Sequence, residues 1–194
     1  VGTKQGFSIV KWTDSGTNTI PHGLSSPLNF IIVKRYDGSS DWNVYHTSLG
    51  GPDKRLHLNS ASDALTGGTW NNTAPTSSVF SWSGGTGDNM VAYCWHDVPG
   101  LQKFGKWTNN NSNAGTFTEL GFRPAVLLLK DIDGGEQWYI IDSKRQTFNI
   151  PAPSNNGAAA VRTLQANSSN DEATADNSHA NATVDFLSNG FRIY

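Results

Sequence analysis

The stretch FRPAVLLLKDIDGGEQWYIID, residues 122–142, decides the fold of this chain. It holds two short runs of apolar or β-forming residues, at 125–129 and 138–141, on either side of a turn that contains Asp-Gly-Gly. Such a pattern is typical of an antiparallel hairpin. A continuous helix is disfavoured, because both runs are short and the glycine pair would interrupt it.

The same pattern occurs earlier, in PLNFIIVKRYDGSSDWNVYH at residues 27–46. Lys34 and Lys130 are 96 positions apart (130 − 34), and Trp42 and Trp138 have the same spacing (138 − 42). A constant offset over a mixed pattern indicates an internal repeat. The chain is therefore expected to contain this hairpin twice.

The repeat predicts equivalent hairpins at 28–46 and 125–142. Their apolar runs, 30–33 and 126–129, are expected to be largely buried. A tryptophan that recurs at an equivalent strand position packs in a core more often than it binds a ligand. We therefore also place both repeated hairpin tryptophans in the core.

Further echoes extend the repeat over the whole chain. KWT occurs twice, 95 positions apart (106 − 11), and LHLNS ending at Ser60 is echoed by LQANS ending at Ser168. We therefore predict a single compact domain made of two repeats, 1–97 and 98–194. The connection between the repeats is too short to act as a flexible linker.

Composition favours an all-β domain. The chain has 194 residues, and 11% of them are aromatic but only 15% charged, which is unlike a coiled coil. We predict an antiparallel β-sandwich, jelly-roll-like and with little helix. The strand at 90–96 alternates Val91, Tyr93 and Trp95, which predicts that these three side chains form its buried face.

Local patterns predict further strands and turns. FSIVKWT at 7–13 and FGKWT at 104–108 are expected to be strands. The polar segments that follow the first KWT, at 14–18, and that lie between the last two strands of the first repeat, at 83–89, are expected to be turns.

Charge and hydropathy exclude several partners. The net charge is −2 with no basic stripe, so nucleic acid is not an expected partner. No apolar run is long enough to cross a bilayer, so membrane insertion is not expected. Cys94 is the only cysteine, which rules out an intrachain disulfide and favours a buried small side chain. Met90 is the only methionine, so we expect a processed product or a piece of a longer chain.

The order of motifs resembles a known family. KWT, HGL, FIIVKRYDG, DWNVYH, LHLNS, SSVFSW, VAYCW, then KFGKWT, GFRP and DFLSNGFRI follow one another along essentially the whole chain. This succession resembles a domain of tail-fibre-like and other structural proteins of bacteriophages, especially marine ones. That domain is loosely grouped with concanavalin A-like lectins and glucanases. The resemblance implies a virion component at the surface of the phage particle, with other virion proteins as partners.

Carboxylates do not form a catalytic pattern. Glycoside hydrolysis needs two flanking acids, and only three glutamates are present. Asp131, Asp133 and Glu136 straddle the Gly-Gly turn, where solvated turn residues are the favoured interpretation. We predict no catalytic residues.

Metal and cofactor motifs are equally absent from the sequence. The five histidines show no HExxH or close pairing, and no phosphate-binding glycine loop precedes a helix. No metal and no cofactor are predicted.

Binding is the remaining candidate activity. Trp70, Asn71 and Asn72 lie in the polar segment GGTWNNTAP, where an exposed ring beside amides would suit a sugar. The alternative is that Trp70 folds back over the edge of the sheet. The segments 83–89 and 150–159, where the repeats also differ, are further candidates.

These observations predict a non-enzymatic phage virion module that adheres to host-surface glycan or decorates a fibre, tail or capsid. Weak single sites would favour a homo-oligomer. A purely structural role without a ligand is one alternative, and a polysaccharide-degrading concanavalin A-like enzyme is another.

Overall fold

A computed structural model describes residues 2, 4–110, 114–145, 162–170, 172–174 and 184–194. These residues contain no helix, and every strand pair is antiparallel, which confirms the all-β prediction. The strands are β1 Phe7–Pro21, β2 Phe30–Arg35, β3 Asn43–His46, β4 Lys54–His57, β5 Leu65–Thr66, β6 Val79–Trp95, β7 Thr116–Glu119, β8 Val126–Leu129, β9 Tyr139–Asp142, β10 Arg162–Gln165, β11 Ala173–Thr174, β12 Val184–Leu187 and β13 Gly190–Ile193.

The chain divides into two compact units. The first comprises Val1–Gly105 together with Asp131–Glu136, and the second comprises Lys106–Lys130 and Gln137–Tyr194. Each unit is built from its own sheets, and each has its own cluster of buried side chains.

The first unit is a six-stranded sheet of order β1-β6-β2-β3-β4-β5. β6 is central, since it pairs with β1 along one edge and with β2 along the other. Its buried residues near the C-terminal end are Met90, Ala92 and Cys94, which alternate as a strand with one buried face requires. The opposite alternation was predicted from the sequence, and that prediction is wrong: Val91, Tyr93 and Trp95 lie on the other, half-buried face.

The β1–β6 pair is longer than the sequence suggests. Segments 14–18 and 83–89, both predicted to be turns, lie within the two strands, where the register shifts on either side of Ser15. Asp14 fixes this irregularity, because its buried carboxylate accepts hydrogen bonds from Trp82 Nε1 at 2.7 Å and Gly16 N at 3.0 Å. A bulge of this kind bends a strand without ending it.

The core of the first unit draws on both ends of this bent strand pair. Ile20, Phe80 and Trp82 belong to the same buried cluster as Ile31 and Ala92. A side chain from outside the sheet, Trp70, completes the cluster.

The two predicted hairpins have the same register. In the first, Phe30 lies opposite His46; adding 96 to each number gives Val126 and Asp142, which lie opposite one another in the second. All four residue pairs of the two hairpins obey this rule. The internal repeat inferred from the sequence is therefore a structural repeat at this hairpin.

The equivalence extends to the next strands. Asn43 lies opposite His57, 14 positions on (57 − 43), and Tyr139 lies opposite Gln165, 26 positions on (165 − 139). The second repeat therefore accommodates 12 more residues (26 − 14) between β9 and β10 while the strand pairing stays equivalent. The strand predicted at LQAN is β10.

An asparagine holds each hairpin to the strand that follows it. Asn59 Oδ1 accepts a hydrogen bond from Trp42 N, and Asn167 Oδ1 accepts one from Trp138 N, both at 2.9 Å. Each asparagine also donates from Nδ2 to the residue before that tryptophan, Asp41 Oδ1 in the first repeat and Gln137 Oε1 in the second. The same side-chain geometry recurs although the connecting segments differ in length.

The second unit has two sheets, of order β11-β10-β9-β8 and β12-β13-β7. Its buried cluster combines side chains of both sheets. From the first come Leu127, Leu129 and Ile141, and from the second come Val184, Phe186, Phe191 and Ile193. Two sheets that share one apolar layer are consistent with the predicted β-sandwich.

Two predictions for the second repeat need correction. The run 126–129 is only half buried, since Leu127 and Leu129 face the core whereas Val126 and Leu128 are exposed. The segment 104–108 is not a strand, although its echo in β1 is. The first run, 30–33, is largely buried as predicted.

Replacing Trp138 by alanine is expected to destabilise the protein by about 3–5 kcal/mol, the usual cost of truncating a buried aromatic side chain. Trp138 is buried as predicted, whereas Trp42 is only half buried. Trp42→Ala is therefore the matched control, and a smaller loss is expected for it. Thermal and urea unfolding followed by circular dichroism measure both. An unchanged melt for Trp138→Ala would contradict the core assignment.

Candidate ligand-binding surface

The structure buries Trp70, whose ring was expected to be an exposed sugar platform. Only 1% of the residue is accessible, and its Nε1 donates a hydrogen bond to Lys54 O at 3.1 Å. The ring packs edge-on against Tyr45 and Trp82, with centroids 5.5 and 5.7 Å away. The ring therefore takes the alternative position derived from the sequence, in which Trp70 folds back over the edge of the sheet. A ring covered in this way is part of the core.

Asn71 and Asn72 remain exposed, and both occupy the left-handed region, with φ of 49° and 48°. Asparagine tolerates this conformation better than most residues. Their segment is closed by backbone hydrogen bonds from Asn71 N to Gly68 O at 2.8 Å and from Thr73 N to Trp70 O at 3.0 Å. Turn geometry therefore explains why asparagines stand here, and their role as ligands stays a prediction.

The other two candidate segments have different outcomes. Residues 83–89 form the irregular middle of β6 and pair in part with β1. Residues 150–159 lie outside the part of the chain that the structure describes.

A surface that the sequence analysis did not select lies on the side of the central strands away from the core. We call it the outer face. Its members are Ile9 and Lys11 of β1, Val91 and Tyr93 of β6, Ile32 and Lys34 of β2, and Tyr36, which follows β2.

Strand register brings the outer face together. Ile9 and Ile32 both lie opposite Tyr93, so these three side chains form one row across the sheet. Lys11 and Lys34 both lie opposite Val91 and form the next row. The centre of the face is therefore apolar, and Ile9 at its β1 side is 52% exposed.

Tyr36 supplies an exposed aromatic ring at the end of the face. The residue is 50% exposed, and the Nζ of Lys11 lies 4.3 Å from the ring centroid. The backbone is anchored because Tyr36 N donates to Asn89 O at 3.0 Å. A cation over a tyrosine ring contributes about 0.5–1 kcal/mol at an exposed site, so the pair limits the movement of both side chains.

The second lysine is held in a similar way. Lys34 Nζ lies 5.8 Å from the centroid of the Trp42 ring and donates to Ser40 O at 2.6 Å. Both cations of the outer face thus lie beside an aromatic ring. A cation next to an aromatic ring suits a ligand with a flat apolar side and hydroxyl or anionic groups at its margin.

A packed aromatic cluster closes the opposite end. Trp95 contacts Phe7 and Phe30, with ring centroids 5.0 and 5.4 Å away, and Phe30 stacks on Phe104 at 5.4 Å. Tyr93 stacks on Trp95 at 6.4 Å. This cluster forms the boundary of the outer face at that end.

The acidic turn of the second hairpin organises its own backbone. Asp131 Oδ1 accepts hydrogen bonds from Asp133 N at 2.9 Å and from Gly134 N at 3.2 Å. This supports the interpretation of these acids as turn residues. Within the described ranges, no three histidine, cysteine, aspartate or glutamate side chains form a group that could hold a metal ion.

Cys94 is buried, as predicted, and burial raises the pKa of its thiol to about 12. The thiolate is the nucleophilic form. The side chain therefore acts as a small apolar group of the core.

His22 is a buried histidine held in its neutral form. Its Nδ1 accepts a hydrogen bond from Leu24 N at 3.2 Å, and its Nε2 lies 3.2 Å from Thr76 O, to which it can donate. Protonation of Nδ1 would break the first of these bonds. Burial is the main cause that lowers the pKa of His22, and it also lowers the pKa values of His46 and His57.

The sequence held one usable signal for the outer face. Ala92 and Cys94 are smaller than Tyr93 and Trp95 beside them, and small side chains suit a tightly packed core face. The aromatic side chains were assigned to the core because large apolar residues are usually buried there. The pairing of Val91 with two lysines shows which face of β6 is exposed to solvent. The pairing partners of a strand cannot be identified from the sequence of that strand alone.

These features define an all-β scaffold that contains the same hairpin twice, with an exposed aromatic and cationic face on the first repeat. The chain belongs to the family described as Domain of unknown function (DUF7483), whose model matches residues 1–194. No curated protein and no solved structure matches it. Among the described residues, no helix has the length and hydropathy needed to span a membrane.

Acidification is expected to destabilise the protein through its buried histidines. Because folding lowers the pKa of His22 from its ordinary 6.5, the unfolded chain binds more protons than the folded chain below about pH 7. Stability is therefore highest above pH 6.5 and falls as the pH is lowered toward 5. Urea unfolding at a series of pH values measures this loss.

His22→Gln is the informative variant, because glutamine can keep an acceptor for Leu24 N and a donor for Thr76 O but does not titrate. The pH dependence is expected to be weaker in this variant than in the parent. Equal pH dependence in both proteins would show that His22 carries none of the effect.

Proposed function

We propose that this protein is a non-enzymatic binding module of a bacteriophage virion, exposed at the particle surface, that holds host-surface glycan on its outer face. The resemblance to phage tail-fibre-like proteins supports the virion setting. The outer face supports a binding role. The proposal moves the ligand site from Trp70 to Tyr36 and Tyr93, because Trp70 is buried.

The observation that carries the proposal is the ordered pair of Tyr36 and Lys11 beside an exposed apolar row. A sugar presents an apolar ring face and a rim of hydroxyl groups. The ring face can stack on Tyr36 while the rim accepts hydrogen bonds from Lys11, which carries three donors. Acidic capsular sugars would gain further from the two lysines of the outer face.

The chemistry of the outer face suits binding in preference to glycoside cleavage. Its seven members include no carboxylate, the group that most glycoside hydrolases use in pairs. Two tyrosines and two lysines supply stacking surface and hydrogen-bond donors instead.

One aromatic platform gives weak affinity. Several copies on an oligomer would raise the apparent affinity by two to four orders of magnitude, roughly, without any new contact. Homo-oligomerisation and assembly with other virion proteins are therefore part of the proposal.

Tyr36→Ala is expected to weaken glycan binding by about tenfold or more, the loss that 1.4 kcal/mol represents. The protein is displayed in multivalent form on beads and tested against purified bacterial capsular polysaccharides and lipopolysaccharides. Since Tyr36 is half exposed, its thermal unfolding should stay near that of the parent. Asn72→Ala is the matched control, at an exposed position in the first candidate turn.

Other outcomes of this experiment would support a different site or a different function. Loss of binding in Asn72→Ala but not in Tyr36→Ala would return the site to the 71–72 turn. Shortened polysaccharide chains after incubation would indicate a polysaccharide-degrading enzyme. Binding to none of the glycans, together with assembly onto other virion proteins, would indicate a purely structural role.

A further inference from the structure

β8 occupies the edge of its sheet. It pairs with β9 on one side, and no described strand pairs with its other side. The outer edge of Val126–Leu129 therefore presents backbone N–H and C=O groups that no described strand satisfies. Unsatisfied edges of this kind can pair with a further strand.

The equivalent edge in the first repeat is occupied. β2 is equivalent to β8 by the offset of 96, and it pairs with β3 on one side and with β6 on the other. In that pairing Phe30 lies opposite Trp95, and Ile32 lies opposite Tyr93. The chain thus shows both states of one structural edge, with and without an added antiparallel strand.

The missing neighbour leaves apolar side chains uncovered. Val126 is 61% exposed, whereas its equivalent Phe30 is 7% exposed, with the rings of Trp95 in β6 and of Phe104 each 5.4 Å away. Leu128 is 40% exposed, whereas its equivalent Ile32 is half buried beside Tyr93. The exposure follows the positions that an added strand would cover.

Nothing in β8 protects this edge. Its sequence is VLLL, without the charge, proline or glycine that usually discourages strand addition, and its register with β9 is regular. Proteins normally blunt exposed edges, so an apolar, regular one indicates a surface that is meant to be covered.

We propose that β8 is a docking edge that takes an extended segment of a partner polypeptide as an additional antiparallel strand. Main-chain hydrogen bonds along Val126–Leu129 would hold the segment, as in other cases of strand addition. This interaction is separate from the glycan site, since it uses the other repeat and needs no sugar.

The first repeat indicates what the partner segment looks like. The occupant of the β2 edge alternates small inward residues, such as Ala92 and Cys94, with the outward aromatics Tyr93 and Trp95. A segment of this pattern would place one aromatic ring over Val126 and the next over Leu128. We therefore infer alternating small apolar and aromatic residues in the partner.

Charge adds a further feature. Arg123 is exposed and lies three residues before β8, at the end where the C-terminus of an antiparallel partner emerges. The occupant of the β2 edge is followed by an acid, Asp97, two residues after Trp95. A carboxylate in that position of the partner would lie near Arg123 and favour the antiparallel direction.

The test uses a fluorescent peptide with the sequence of residues 88–97 and Cys94→Ala, added to the full chain. We expect saturable binding by fluorescence polarisation. Hydrogen-exchange mass spectrometry should show new protection confined to the segment around Val126–Leu129. Replacing the peptide's aspartate at position 97 by lysine should weaken binding, and salt should reduce the difference between the two peptides.

Two variants of the protein distinguish binding at the β8 edge from nonspecific hydrophobic binding. Leu128→Lys puts a charge on the exposed side of the edge strand and should weaken binding by about tenfold. Leu101→Lys makes the same change at an exposed leucine of the first unit, outside both proposed sites, and should leave peptide binding intact. Equal effects of the two variants would overturn the proposal.

Backbone pairing is tested with two N-methylated peptides, one methylated at even and one at odd positions. An antiparallel strand uses alternate N–H groups on each of its edges. One peptide should therefore bind and the other should not, and equal binding of both would exclude strand addition.

Hydrogen exchange of the protein without peptide is the remaining experiment. The proposal requires the β8 amides that point away from β9 to exchange rapidly until the peptide is added. Protection in the monomer without peptide would mean that the chain covers its own edge. Protection that rises with protein concentration would mean that a second copy covers it. Either result would replace the proposed partner.

Discussion

Hydrogen bonding along both edges of β6 is the constraint on which the first repeat depends. The C-terminal part of the strand is held by β1 on one side and by β2 on the other, so its side chains alternate between two environments. Ala92 and Cys94 are small, which lets the large rings of Phe80 and Trp82 share the core with them. The same alternation directs Tyr93 outward. The core and the exposed face are therefore two consequences of one pairing.

The bend in this strand pair depends on a polar group. Asp14 is buried, and its carboxylate is satisfied by the indole of Trp82 and by Gly16 N within its own bulge. Removing one partner of a buried hydrogen bond leaves the other unsatisfied, which costs about 1–3 kcal/mol. The carboxylate thus ties a local irregularity of β1 to an indole of the core.

The hairpins could be predicted because their signals are local. Asp-Gly turns between apolar runs set the loop, and the constant offset transferred the register from one repeat to the other. Even the asparagines Asn59 and Asn167 lie in the echoed motifs, although their bonds to the tryptophan amides are visible only in the structure. What sequence reasoning missed depends on partners distant in the chain. Trp70 is buried because Tyr45 and Trp82 meet it, and no pattern within GGTWNNTAP reports those contacts.

Segment 104–108 is a second case in which the local sequence does not determine the secondary structure. Its sequence echoes a strand of the first repeat, yet a strand needs a neighbour to pair with. In the first repeat the matching residues of β1 pair with the C-terminal half of β6. In the second, β13 pairs with β7 instead. Similar sequences therefore form different secondary structures where the neighbouring strand differs.

The repeats also differ in what they present to a partner. The first covers its β2 edge and exposes a face with aromatic and cationic side chains. In the second, no described strand pairs with the outer edge of β8, and aliphatic side chains of that strand are exposed. The two copies of one hairpin therefore carry two chemically distinct surfaces.

The connection between β9 and β10 is twelve residues longer than its equivalent in the first repeat, and the strand pairing tolerates this difference. The strand pairing on both sides of that connection matches the first repeat, so the extra length has not disturbed the sheet. A longer connection costs little free energy to close, since each doubling of chain length adds only about 0.6 kcal/mol. A difference in length at this position is therefore compatible with unchanged pairing of the flanking strands. For the same reason, an engineer could graft a foreign epitope there for display.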